Sequence, residues 1–273
     1  MPHSDSPVDP QPQKLAREDG TVLAYYKTAA RKASPERATA AGAEPGLMFL
    51  GGFMSDMGGG KALALEAYAR RRGRAFLRFD YRGHGASSGR FEDGTIGAWA
   101  GDALAVLDAL TEGPQVLIGS SMGGWIMLLV ALARPERIAG LVGIAAAPDF
   151  TEDLIWGRAT TEQRGALETA GYVDRPSEYS ATPYRITRHL IQEGRDHLLL
   201  GKSIPLTCPV RLIHGLEDAD VPWQTSLRLA EALESDDVEV TLVKNAAHRL
   251  SEPQDLARLE RMIEALSAPA TRG

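Results

Sequence analysis

GPQVLIGSSMGGW, residues 113–125, is the stretch that decides how this chain folds. An apolar run, Val116-Leu117-Ile118, has the length of a buried strand, and from Met122 the pattern turns helical. Between the two lies Gly119-Ser120-Ser121-Met122-Gly123, a Gly-x-Ser-x-Gly pentapeptide. Such a pentapeptide is common by chance. In a strand–turn–helix setting it marks a tight, strained turn that lifts the central serine clear of the sheet, with glycines leaving room for close packing. Ser121 is therefore the candidate nucleophile.

Outward from that turn the chain alternates between two textures. Apolar runs at 47–50, 75–79, 115–119, 138–145, 210–214 and 238–243 are short enough to be strands. Helical patterns at 61–72, 95–110, 122–133, 223–233 and 254–266 lie between or after them. Strands alternating with helices predict an α/β fold, a mostly parallel sheet covered on both faces. Residues 14–30 read as two extended segments around Asp19-Gly20, a hairpin supplying antiparallel edge strands. Residues 1–13 are polar and proline-rich and are expected to be a disordered tail. Residues 30–46 form a small-residue loop. The stretch between Ala147 and Pro205 breaks the rhythm: it is too long for a structureless loop and carries Trp156, Tyr172, Tyr179 and Tyr184. It is read as a helical cap, 149–205, inserted into a core of 14–148 and 206–268. No internal repeat is visible.

A serine hydroxyl is a poor nucleophile at neutral pH without a base in hydrogen-bond reach and a third group to orient that base. After Ser121 come HGLEDADVPW (214–223), at the end of one expected strand, and Asn245-Ala246-Ala247-His248, just after the next. Carboxyl ends of parallel strands are where such sheets place their sites. The reading takes His248 as base and Asp218 as acid, with Asp220 as the alternative acid. His214 is read as a hydrogen-bonded turn residue and His84 as a structural loop residue. His189 and His197 are read as surface positions of the cap. Backbone amides are good donors to a developing oxyanion because they are fixed in advance. The amides of Met122 and of Phe53, in the loop Gly51-Gly52-Phe53-Met54, are the candidates. Gly60-Lys61 invites comparison with a phosphate loop, but Ser55 and Ala62 break that motif.

The 273 residues carry 36 Asp and Glu against 30 Lys and Arg, a net charge of −6. That balance argues against nucleic acid or an anionic membrane surface as partner. The one basic run, Arg70-Arg71-Arg72 with Arg74, sits where a helix should end. Cys208 stands alone, so neither an intrachain disulfide nor a cysteine metal site is expected, and it is read as a small buried hydrophobe. The opening residues show neither a signal nor a transit pattern, and no apolar run could span a bilayer. The expected location is the cytoplasm.

RFDYRGHG (78–85), GPQVLIGSSMGGW (113–125) and HGLEDADVPW (214–223) together resemble the α/β-hydrolase superfamily. Within it, the chain is similar to the mammalian mitochondrial serine hydrolases that remove acyl groups from protein cysteines and cleave acyl glucuronides. The resemblance spans about residues 47–266 and implies the α/β-hydrolase fold, with triad roles for Ser121, Asp218 and His248. Many members carry His-Gly before the oxyanion residue where this chain has Gly51-Gly52. The expected reaction is hydrolysis of an acyl ester or thioester through an acyl-enzyme, without metal or organic cofactor. The substrate is a small or acylated molecule, contacted by Met54, Trp125, Trp156 and Trp223, and the enzyme a monomer or small homo-oligomer. Amide or C–C bond hydrolysis with the same triad, or ligand binding without catalysis, are the alternatives.

Overall fold

Four of the apolar runs, β3 (Gly46–Leu50), β4 (Phe76–Phe79), β5 (Gln115–Ser120) and β9 (Val210–Gly215), are buried along their whole length, and β6 (Ile138–Ile144) nearly so. Unbroken apolar strands of this kind belong in a sheet covered on both faces. The computed structural model describes residues 11–31, 44–175 and 183–266 and places these strands in one eight-stranded sheet. Its order is β1-β2-β4-β3-β5-β6-β9-β10, where β1 is Gln13–Ala16, β2 Val22–Thr28 and β10 Val238–Val243. The hairpin strands β1 and β2 are antiparallel at one edge, and every pairing from β4 to β10 is parallel. The expected tail lies almost wholly outside the described residues, as does most of the 30–46 loop.

Alternation along each strand sends successive side chains to opposite faces. Leu47, Phe49, Val116, Ile118, Val142, Ile144 and Ile213 meet α1 (Gly60–Arg72) and α7 (Pro253–Ala265) through Leu65, Tyr68, Leu259 and Ile263. Met48, Leu50, Leu117, Leu141 and Leu212 face α2 (Ile96–Leu110), α3 (Met122–Ala133) and α6 (Gln224–Ala232), which contribute Trp99, Trp125, Met127 and Leu229. The arginine run does end α1: Gly73 follows it in the left-handed conformation at φ 72°. Cys208 is half-buried against the core.

The segment inserted between β6 and β9 is not purely helical. It holds one turn of π-helix (Thr151–Trp156), α4 (Thr161–Thr169) and α5 (Arg188–Gly194), but also an antiparallel pair, β7 (Tyr172–Arg175) and β8 (Tyr184–Thr187). These strands escaped the sequence reading because each has four residues and little burial. Cross-strand pairing supports them instead: Arg185 hydrogen-bonds Asp174 at 2.9 Å and lies 3.8 Å from the Tyr172 ring centre. Tyr179 lies outside the described residues.

Polar anchors tie this insertion to the core. The Glu193 carboxylate accepts from the Gly97 amide in the first turn of α2 at 2.9 Å and from His197 Nε2 at 2.9 Å. Within the insertion itself, buried Asp149 near its start accepts from the Leu199 and Leu200 amides near its end, both at 2.8 Å. Trp125 Nε1 donates to the His197 carbonyl at 3.1 Å.

Candidate active site

At the β5–α3 junction Ser121 has φ 54° and ψ −120°, a conformation L-residues seldom adopt and one that costs about 1–3 kcal/mol. The surroundings hold it there. Its amide donates to the Ile144 carbonyl at 2.9 Å, and its carbonyl accepts from Gly124 at 2.8 Å and Ala147 at 3.0 Å. Glycine is required on both sides: a Cβ at 119 would fall 2.4 Å from the Gly123 carbonyl oxygen, and one at 123 would fall 2.1 Å from that of Leu50. Five other non-glycine residues among those described have positive φ: Met54, Ala145, Asp149, Asn245 and Leu250. All six lie in the segments that follow the carboxyl ends of β3, β5, β6 and β10, so backbone strain collects along one edge of the sheet.

The same edge brings Ser121, His248 and Asp218 together. His248 Nε2 is 3.1 Å from Ser121 Oγ, and His248 Nδ1 is 2.7 Å from Asp218 Oδ2. Asp220 does not take that position. It is exposed, and its amide donates to Asp218 Oδ1 at 2.9 Å, as the Val221 amide does at 2.8 Å. Burial pushes the Asp218 carboxyl up, but hydrogen bonds from His214 and His248 outweigh it and hold the carboxyl well below the usual carboxylate range. Asp218, Asp220 and His248 are the one grouping of potential metal ligands among the described residues, with ligand atoms within 4.8 Å of one another. Two of the three are already hydrogen-bonded to each other.

The loop after β3 lies against the serine turn: a Cβ on Gly52 would stand 3.4 Å from Ser121 Cβ. Among the described residues the Phe53 and Met122 amides have no hydrogen-bond acceptor, whereas the next amide, that of Met54, donates to His84 Nε2 at 3.3 Å. His84 is buried, with Nδ1 3.2 Å from the Arg82 carbonyl, and burial lowers its pKa. The loop residue read as structural thus holds the backbone next to Phe53. Met57 N donates to Asp80 Oδ1 at 2.7 Å, and Arg78 Nη1 to the Met57 carbonyl at 3.0 Å, so the 78–85 motif clamps the whole loop.

A cavity of about 690 Å³ opens over Ser121 and His248. Phe49, Phe53, Met54, Ala62 and Tyr184 line it, together with Ser55, Asp56, Lys61, Arg249 and Ser251. Lys61 Nζ donates to the Arg249 carbonyl beside His248, and burial lowers its ammonium to about 8. Of the four expected substrate contacts only Met54 lines this cavity. Trp125 is fully buried, packed on Phe150 and hydrogen-bonded to His197. Trp156 lines a separate, smaller cavity in the insertion, with Arg164 5.2 Å and Arg195 5.1 Å from its ring. Trp223 is half-buried at the start of α6, away from the lining. Aromatic character alone does not say which side of an element a ring occupies. Tyr184, expected only as one of the cap aromatics, Lys61, weighed only against a phosphate loop, and Arg249 are not expected at the site from sequence, since each reaches the cavity only through the tertiary fold.

The profile of the alpha/beta hydrolase family matches residues 46–259. This chain belongs to that family. The human palmitoyl-protein thioesterase ABHD10, mitochondrial, is 42% identical over 226 residues, 82% of this chain and 74% of the relative. The structure of mouse alpha/beta hydrolase domain-containing protein 10 superposes with a TM-score of 0.83 at 39% identity, covering 94% of this chain and 98% of that one. The crystal structure of a hydrolase from Agrobacterium vitis gives a TM-score of 0.86 at 40% identity, covering 96% of this chain and 100% of that one. The chain is a hydrolase, and cleavage of acyl esters or thioesters, the reaction read from the sequence, agrees with these relatives. The cytoplasmic location read from the opening residues is overturned, because the curated relatives at 42–44% identity are mitochondrial proteins. No helix among the described residues is long and apolar enough to cross a membrane.

Proposed function

We propose that the hydrolase attacks an acyl ester or thioester carbonyl with Ser121 Oγ. His248 Nε2 takes the serine proton, and Asp218 keeps the other proton of the imidazole on Nδ1. The tetrahedral intermediate's oxyanion lies between the Phe53 and Met122 amides. Its collapse leaves the acyl group on Ser121 and gives the His248 proton to the leaving alcohol or thiol. Water, deprotonated by His248, then releases the acid. The observation that carries this reading is the unbroken chain from Ser121 Oγ through His248 to Asp218 Oδ2, at 3.1 and 2.7 Å. Two amides without acceptors beside the serine support the oxyanion assignment.

The same reading makes the described residues of the insertion, 149–175 and 183–205, a lid that sets acyl-chain preference. Tyr184 of β8 supports it, because it lines the cavity that also holds Ser121. The apolar part of that lining suits an acyl chain, and its polar part suits the carrier, as in a thioester on a polar thiol. The test is turnover of acyl esters and acyl thioesters of graded length by the wild type and Ser121→Ala. A fall on the order of 10⁴ or more in the folded variant is expected. Turnover near wild type would overturn the assignment.

A further inference from the structure

His214 ends β9 with its side chain wholly buried, and the mechanism above leaves it without a task. Its Nε2 lies 3.0 Å from Asp218 Oδ2 and 3.0 Å from the Val221 carbonyl oxygen. Both neighbours can only accept, so Nε2 carries the proton. Its Nδ1 lies 2.7 Å from Ser226 Oγ on α6, and the hydroxyl donates to it. We propose that His214, satisfied in this Nε2–H form by Val221 and Ser226, is a positioning residue that aims the Asp218 carboxylate at His248. The proposal rests on the triad reading and adds a member behind it.

Asp218 Oδ1 is fixed by two backbone amides, those of Asp220 and Val221, and Oδ2 receives two imidazole donors, His248 at 2.7 Å and His214 at 3.0 Å. Four donors set the carboxylate's rotation, and the His214 bond is the only one whose donor sits on β9 itself. It also shares the negative charge of Oδ2 between two rings. Removing His214 therefore has two effects: the carboxylate can turn away from His248, and the charge it still offers falls on His248 alone. Both effects change how firmly Asp218 holds the imidazolium that forms when His248 takes the serine proton. Among the described residues Asp218 is the only charged group hydrogen-bonded to His214. Facing His248 are Asp218, the exposed Asp220, and Arg249 with Lys61 behind it, none of which these variants touch.

The experiment compares His214→Phe, His214→Gln and Ser226→Ala with the wild type by pH profile of kcat/KM, by kcat and by thermal melt. For His214→Phe the acidic limb is expected to be displaced by roughly half to one pH unit and kcat to fall about 10-fold or more, with KM little changed. His214→Gln, whose side-chain amide restores a donor to Asp218, should recover most of both. Ser226→Ala should move the limb the same way by less and add nothing in the His214→Phe background. A purely structural role would lower the melting midpoint and leave the limb in place. A folded His214→Phe with limb and kcat unchanged within 2-fold overturns the proposal. Should that variant not fold, an unmoved limb in a cooperatively melting Ser226→Ala overturns it instead. Ser121→Ala, measured alongside, keeps the two claims apart: its retained turnover would remove the triad reading, whatever the His214 variants do.

Discussion

Asp218→Asn exchanges one oxygen of the acid for an NH₂ group, and the structure dictates where that group must go. Oδ1 faces the Asp220 and Val221 backbone amides at 2.9 and 2.8 Å, and these can only donate. The asparagine oxygen must therefore take that side, which turns its NH₂ toward His248 and His214. His248 can then pair with it only by offering a lone pair from Nδ1, which moves the ring proton to Nε2. That proton points at Ser121 Oγ, 3.1 Å away, and the ring can no longer accept from the serine. The expected loss is on the order of 10⁴ in kcat, as for a triad histidine held in the wrong tautomer. His214 is driven the same way, which sets its Nε2 lone pair against the Val221 carbonyl at 3.0 Å. Each hydrogen bond to an ionised group is worth about 1.5–3 kcal/mol, so the melting midpoint should fall as well. The linkage has a definite sign. The folded Asp218 carboxyl is held below its unfolded value, so its stabilisation is complete above about pH 4 and fades as pH falls toward the folded value. Asp218→Asn should accordingly flatten the acid side of the stability curve. Asp220→Asn, at an exposed position, should change turnover less than about 3-fold and stability less than about 0.5 kcal/mol. Ester turnover and melts of the two variants decide the matter. Asp218→Asn keeping a tenth of wild-type turnover, or Asp220→Asn losing most of it, would refute the tautomer argument.

Gly123→Ala must push the β3 loop off the serine turn, because its Cβ would sit 2.1 Å from the Leu50 carbonyl oxygen; a loss of about 1–3 kcal/mol and of most turnover is expected by melt and assay. His84 is buried with its pKa lowered, so the stability it contributes is complete above about pH 6.5 and is lost as pH falls through its folded value. Melting midpoints should therefore drop on acidification below about pH 6.5, and the drop should shrink in His84→Asn, which cannot titrate. Tyr184→Ala should redistribute chain-length preference by about 1–3 kcal/mol across an acyl-ester series, and an unchanged preference would contradict the lid.

The sheet and the serine turn were legible because their signals are local. An apolar strand, a Gly-Ser-Ser-Met-Gly turn and an apolar helix follow one another within 20 residues, and both turn glycines answer to measurable backbone approaches. The positions of Asp218 and His248 followed from chain order and strand ends, and its place just past His-Gly favours Asp218 over Asp220; the physical difference is that the Asp218 side chain is wholly buried and hydrogen-bonded to His248, while Asp220 is an exposed residue. The tryptophans were misplaced for a physical reason. Trp125 lies on α3, the helix that the serine turn opens, yet helical rotation turns it into the core, where its indole N–H holds the insertion. The β7–β8 pair was missed because four-residue, half-exposed strands have no apolar run to announce them. His214, expected as a hydrogen-bonded turn residue, ends a buried strand inside Leu-Ile-His-Gly, where it must find hydrogen-bond partners, and one of them is the acid itself.

Trapping the intermediate tests the central claim most directly. The wild type is mixed with an acyl thioester, quenched in acid within the first turnover, digested and analysed by mass spectrometry, with a fluorophosphonate-labelled sample in parallel. The account predicts one acyl adduct and one phosphonyl adduct, both on Ser121, and neither in Ser121→Ala. Turnover without an adduct on Ser121, or an adduct carried by Ser120 or another residue, would contradict it.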